Sequence, residues 1–142
     1  MRSLTALGSW PYRAKHEWNH PGLLMKSLVA RLLKAHVVEL SFRFDVDVQW
    51  HAGTSEAFRE ERRVRLVDVG TEGSYAVALH ELGHVLGRNP RHRLEQEGMA
   101  WVWAREHALV WTPSMSRKMR GCLASYVEFA HRTSNVVLPD RA

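Results

Sequence analysis

The spacing of apolar residues changes character along this chain, and the order of those changes restricts the fold more than any other feature of the sequence. After Pro21, which suits a first helical position, Leu23, Leu24, Leu28, Leu32, Leu33 and His36 recur at helical spacing with Lys26, Arg31 and Lys34 between them. A helix is predicted over Gly22 to His36. From Val37 the period shortens to two. Leu40, Phe42, Phe44, Val46 and Val48 alternate with polar residues, which predicts a half-buried strand over Val37 to Trp50. His51 to Ser55 has turn composition, and Val64, Leu66, Val67 and Val69 give a second strand that ends in a turn at Gly70 to Gly73. Helical spacing then returns three times. Ser74 can cap a helix to Leu86, closed by Gly87 in a left-handed conformation. Leu94 to Trp111 gives the next helix, and Ser114 or Ser116 to His131 the last. Strands and helices segregated in this way predict an α+β domain rather than a doubly wound sheet.

The 142 residues suit one domain, 1–142, with loosely ordered ends at 1–20 and 133–142. A chain of this size buries about two thirds of its unfolded surface, enough for a core without covalent staples. Its single cysteine, Cys122, allows no intrachain disulfide and suits a reducing cytoplasm. Met1 to Trp18 carries Arg2, Arg13, Lys15 and His16 around short apolar pieces, unlike a secretory signal. No window approaches the roughly 18 uninterrupted apolar residues of a spanning helix, so a cytoplasmic protein that does not enter a membrane is expected. The net charge of +5 permits nucleic acid as a partner. Arginines gather at Arg59, Arg62, Arg63 and Arg65, at Arg88, Arg91 and Arg93, and at Arg117 and Arg120. No recognition-helix or base-stacking pattern accompanies them, so they read first as solvated surface.

The chemical signal lies in the Ser74 helix, as His80-Glu81-Leu82-Gly83-His84. Residues four apart sit one above the other on a helix face, so both imidazoles can reach one zinc ion. The glutamate after the first histidine can address the metal-bound water, which makes Glu81 the general base of a hydrolase. Leu79, Leu82, Val85 and Leu86 fill the rest of the helix, and a small residue, Gly83, stands between the ligands. A catalytic zinc needs a third protein ligand and one open position. The candidates are Glu95, Glu97, His92 and Glu106. Glu97 is preferred because Ala100, Trp101, Ala104 and Ala108 follow it on a face that can pack against the motif helix, whereas Glu95 suits a solvated first-turn acid. The donor set of two histidines and a carboxylate accepts manganese and iron as well as zinc.

These residues resemble the zincin metallopeptidases, and within them the gluzincin-type ImmA/IrrE family, in which H-E-x-x-H on one helix is joined by a glutamate on the next. The resemblance spans Tyr75 to Ala104, about a fifth of the chain, and rests on His80-Glu81-Leu82-Gly83-His84 and on Glu95-Gln96-Glu97 with Ala100 and Ala104 following. It implies a minimal zincin-like domain and a zinc metalloendopeptidase, with one zinc on His80, His84 and Glu97 and with Glu81 as base. Gly98 and Met99 replace the Ala-Asn that often follows the family's glutamate. Members of the family often cleave regulators inside the cell, so the resemblance also implies a protein substrate such as a DNA-binding repressor.

A second resemblance competes. His84-Val85-Leu86-Gly87 extends the motif toward the metzincin pattern H-E-x-x-H-x-x-G-x-x-H, but Pro90 stands where a third histidine belongs and His92 falls two residues late. The same departure applies to three-histidine metal-dependent endoribonucleases. Among other residues, Trp101, Trp103, Trp111, Tyr126 and Phe129 read as core or helix-packing aromatics, and Cys122 as a buried packing thiol. Tyr126, His107 and His131 are the candidates for stabilising a tetrahedral oxyanion. The Val37–Trp50 or Val64–Val69 strand could offer a sheet edge to an extended substrate. The rival from another class is a basic nucleic-acid-associated module with a structural metal.

Overall fold

The computed structural model describes residues 21–137, and these form four helices and a three-stranded sheet. In chain order they are α1 (Pro21–Arg43), β1 (Asp47–Trp50), β2 (Glu56–Phe58), β3 (Arg63–Leu66), α2 (Glu72–Leu86), α3 (Arg93–His107) and α4 (Pro113–Val137). This is the α+β order that the changes of period predict. Residues 1–20 and 138–142, expected to be loose ends, lie outside the described residues, and α4 continues through the first part of the expected C-terminal tail.

The long strand expected at Val37 to Trp50 is corrected. Residues up to Arg43 belong to α1, and only Asp47–Trp50 pairs in the sheet. Two periodicities overlap there, and burial decides between them. Leu33, Val37 and Leu40, at helical spacing, are buried, while Phe42 of the alternating set is 89% exposed. The helix stops at Asp45, which adopts φ 55°. The amide of Val46 reaches the carbonyl of Ser41 at 2.8 Å and that of Asp45 reaches Phe42 at 3.3 Å, the paired bonds of a Schellman terminus with an aspartate at its left-handed position.

The central strand β3 runs parallel to β1, with Val64 opposite Val48, and antiparallel to β2, with Val64 opposite Ala57. Val64 and Leu66 are fully buried, whereas Arg63 and Arg65 point to the half-exposed face. Two sequence readings change as a result. Pairing ends at Leu66, so Val67 and Val69 lie beyond the strand, and β3 is interior and cannot be the docking edge for a substrate. The edges are β1 and β2, and β2 is too short for a periodic signal.

Helix α2 lies at the centre, packed against α1, α3, α4, β2 and β3. Its cap is Thr71 rather than Ser74. The Thr71 side chain accepts from the Ser74 amide at 3.1 Å and the Ser74 hydroxyl accepts from the Thr71 amide at 3.0 Å, a reciprocal box with serine at the third position. Tyr75, fully buried, joins three segments through its hydroxyl. It lies 2.7 Å from His36 Nδ1 of α1 and accepts from the Leu109 amide at 3.0 Å. Gly87 closes α2, but its φ of −79° is extended and not left-handed. Glycine is needed for space, since a Cβ there would stand 2.6 Å from the Gly83 carbonyl oxygen and 3.3 Å from Trp103 Cβ. Helix α3 ends at His107, short of the expected Trp111, because the chain turns through Ala108 toward Pro113.

Candidate metal centre

The metal centre depends on how closely α2 and α3 approach. A Cβ on Gly83 would collide with the backbone of Ala100, so only glycine lets the two helices meet at that point. Ala100, one turn after Glu97, is itself small and buried. The contact fixes the register of α3 on α2 and brings Glu97 over the paired histidines.

His80 and Glu97 are 7% and 2% exposed, and His84 is half-buried. Glu97 Oε1 lies 3.2 Å from His80 Nε2, and Glu97 Oε2 lies 2.5 Å from His84 Nε2. Although close, these atoms lie off hydrogen-bond axes. Among the described residues, His80 Nε2 and Glu97 Oε2 are buried without a hydrogen-bond partner. Ligand atoms of all three side chains fall within 4.8 Å of one another, as expected of atoms aimed at a shared point about 2 Å from each. Buried polar atoms left unpaired are costly, and a cation at that point would satisfy them. The cluster of His80, His84 and Glu97 can therefore hold a metal ion.

Electrostatics agree with this geometry. Burial would raise the Glu97 carboxyl, but His80 and His84 outweigh it and bring its pKa down to about 2. Burial would lower His80, but Glu81 and Glu97 outweigh it and hold its pKa above the ordinary 6.5. Trp101 stacks on the His80 ring, centroids 4.3 Å apart at 22°, and fixes its orientation from the core side. Glu81 is buried beside the first ligand, its Oε1 3.4 Å from His80 Nδ1.

The other candidates sort by position. Glu95 and Glu106 are exposed, and neither belongs to the cluster. His92, the late histidine of the three-histidine reading, is exposed at the N-cap of α3 and also lies outside the cluster. Tyr126 shares a cleft of about 640 Å³ with His80, Glu81 and Glu97. His107 instead stacks on Trp103, centroids 3.9 Å apart, and donates from Nδ1 to the Trp103 carbonyl. His131 is exposed and does not line the cleft. Trp101 and Trp103 are core residues as expected, Trp111 is half-buried, and Phe129 departs from the expectation at 59% exposed. Cys122 packs against the core as expected, but it is half-buried rather than buried and also reaches the cleft.

Two arginines matter more than the sequence suggests. Arg59, at the end of β2, donates from Nη1 to the carbonyl oxygens of His84 at 3.0 Å and Gly87 at 2.9 Å, tying the sheet edge to the open end of α2. Arg93, in the first turn of α3, donates to the Tyr126 hydroxyl at 3.1 Å and lies over its ring. In sequence both look like members of basic clusters, and no spacing marks them out. Much of the first cluster has intramolecular partners: Arg62 donates to the carbonyls of Phe44 and Asp45, Arg63 pairs with Glu61, and Arg65 pairs with Glu56.

No protein-family model, curated protein or solved structure matches this chain.

Proposed function

We propose that the protein is a zinc-dependent metalloendopeptidase acting on a protein substrate, with His80, His84 and Glu97 as ligands and Glu81 as general base. The observation that carries the reading is the convergence of two histidines from one helix and a buried carboxylate from the next, with a further carboxylate beside them in an open cleft. A divalent zinc ion supplies a Lewis acid that polarises a carbonyl and makes water acidic near neutral pH. The protein's own groups do the rest. Glu81 accepts a proton from the attacking water and passes it to the leaving amine. Tyr126, whose oxygen accepts from Arg93, keeps its own proton to donate to the developing oxyanion. Strand β2, an edge that lines the cleft, is the element along which an extended substrate backbone can pair. A DNA-binding regulator as substrate follows from the resemblance to the ImmA/IrrE family.

The nucleic-acid rival loses support because Arg59, Arg62, Arg63 and Arg65 bond within the molecule. The deciding experiment incubates the zinc-loaded protein with a cell-extract proteome and maps new N-termini by mass spectrometry. New termini should appear with the wild type and fall by about 100-fold or more with Glu81→Gln, which keeps fold and metal. Equal cleavage by both proteins, or none by the wild type, would sink the peptidase reading.

A further inference from the structure

We propose that Arg93, laid against Tyr126 on the cleft wall, forms a carboxylate-binding subsite that selects substrates presenting an acidic side chain or a free C-terminus near the scissile bond. The inference rests on the peptidase reading and adds the chemical class of what is cut.

The charged side chains that line the cleft differ in how they are partnered. Glu97 and Glu81 belong to the metal centre. Glu56 is paired with Arg65 at 3.3 Å. Arg59 is anchored on two carbonyl oxygens at the end of α2. Arg93 differs from all of these. Its recorded partner among the described residues is Tyr126, a neutral phenol that takes one hydrogen bond and cancels no charge. A guanidinium has five N–H donors in a planar fork, so an edge remains for the two oxygens of a carboxylate. The Tyr126 ring, 5.8 Å from the guanidinium carbon, limits how far that fork can swing. The Tyr126 hydrogen bond acts most strongly on Arg93, and the charges of Glu97 and Glu81 are also felt there, which places the cation within electrostatic range of the reacting centre. A substrate carboxylate bound at Arg93 would meet a cation that makes no salt bridge to a carboxylate among the described residues, beside the Tyr126 hydroxyl. Because Arg93 is exposed, added salt should weaken the preference.

The test uses full-length zinc-loaded protein and hexapeptide mixtures with Glu or Gln fixed at each position in turn, each made as free acid and as C-terminal amide. Glu mixtures should be cleaved about tenfold faster than Gln mixtures in kcat/KM at one or two positions, if the carboxylate is a side chain. Free acids should outpace amides by a similar factor if it is the C-terminus. Arg93→Gln should erase the Glu-to-Gln and acid-to-amide ratios, each taken within one protein so that any change of rate through the Tyr126 contact cancels, and Arg93→Glu should favour further mixtures with Lys fixed at the same position. Loss of discrimination in Arg93→Gln, with cleavage of the Gln amides still measurable, supports the subsite. An equal rate on all mixtures by the wild type, or an acidic preference that survives in Arg93→Gln, overturns it. Binding to Glu81→Gln, followed by fluorescence anisotropy of labelled mixtures, separates the two readings. Acidic peptides that bind without being cut by the wild type, and lose binding with Arg93→Gln, keep the subsite and reject the peptidase. No acidic preference in binding or cleavage rejects the subsite alone.

Discussion

The floor and the walls of the cleft are built by different physical means. The floor is the α2–α3 pair, where backbones meet at Gly83 and Ala100, the ligands His80 and Glu97 are buried with His84 half-buried, and Trp101 holds His80 from behind. The walls come from β2 and α4, where Tyr126 and Cys122 are half-buried and the contacts run through long side chains. Close packing permits one arrangement and punishes small errors, so it suits metal ligands that must meet within tenths of an ångström. Exposed arginine contacts tolerate change and suit recognition. A mutation in the floor should therefore cost stability and metal together, whereas one in the wall should change substrate choice or a local anchor and leave the metal in place.

The largest break expected is Gly83→Ala. In an exposed helix this change adds up to about 1 kcal/mol of stability. Here the new methyl group would strike the Ala100 backbone, which cannot swing aside, so a loss of about 3 kcal/mol is expected in urea denaturation, with metal content reduced as Glu97 moves off the histidines. A stable, fully loaded Gly83→Ala protein would show that the helix contact does not set the ligand geometry.

Arg59→Met should have a smaller effect. Two carbonyl oxygens at the end of α2 would lose a charged donor, at a cost of about 1–2 kcal/mol given the partial exposure of the arginine. Zinc stoichiometry should be unchanged and cleavage slowed, because the wall is loosened and the floor is intact. Loss of metal in this variant would join the two regions that the comparison separates.

The smallest effect expected is a pH dependence remote from both. Burial first, with Arg43 and His107 adding to it against the opposing pull of Glu39, lowers the His36 pKa from 6.5. The folded state thus resists a proton that the unfolded state accepts at about pH 6.5, so the contribution is fully present above that value and is lost as pH falls through the lower folded value. Zinc-saturated wild type should melt a few degrees lower as pH drops from 7.5 to 5.5, and His36→Gln should flatten part of that slope. An identical slope in the variant would place the titration elsewhere.

The floor was also the more legible region. A ligand pair spaced four apart needs a helix, so His80, Glu81 and His84 were readable together, while the close contact with Ala100 that Gly83 permits is visible only in the fold. Glu97 could be preferred over Glu95 because the small residues after it marked an inward face. The region from Val37 to Trp50 misled because Leu40 and Phe44, four residues apart, satisfy both a period of two and one turn of helix, and only burial of Val37 beside exposure of Phe42 separates them. Strand β2 was invisible for its length, and the terminus at Asp45 for lack of a glycine. Arg59 and Arg93 act through distant partners, the C-terminal end of α2 and Tyr126 midway along α4, and no local pattern encodes a contact 25 or 33 residues away.

The measurement closest to the central claim is the zinc content of purified, zinc-reconstituted and desalted protein, determined by elemental analysis beside His80→Ala, His84→Ala, Glu97→Ala and Glu95→Ala. The wild type and Glu95→Ala should each retain about one equivalent, and the other three should lose it while keeping a folded circular-dichroism spectrum. Zinc retained by Glu97→Ala, or no zinc held by the folded wild type, would contradict the account.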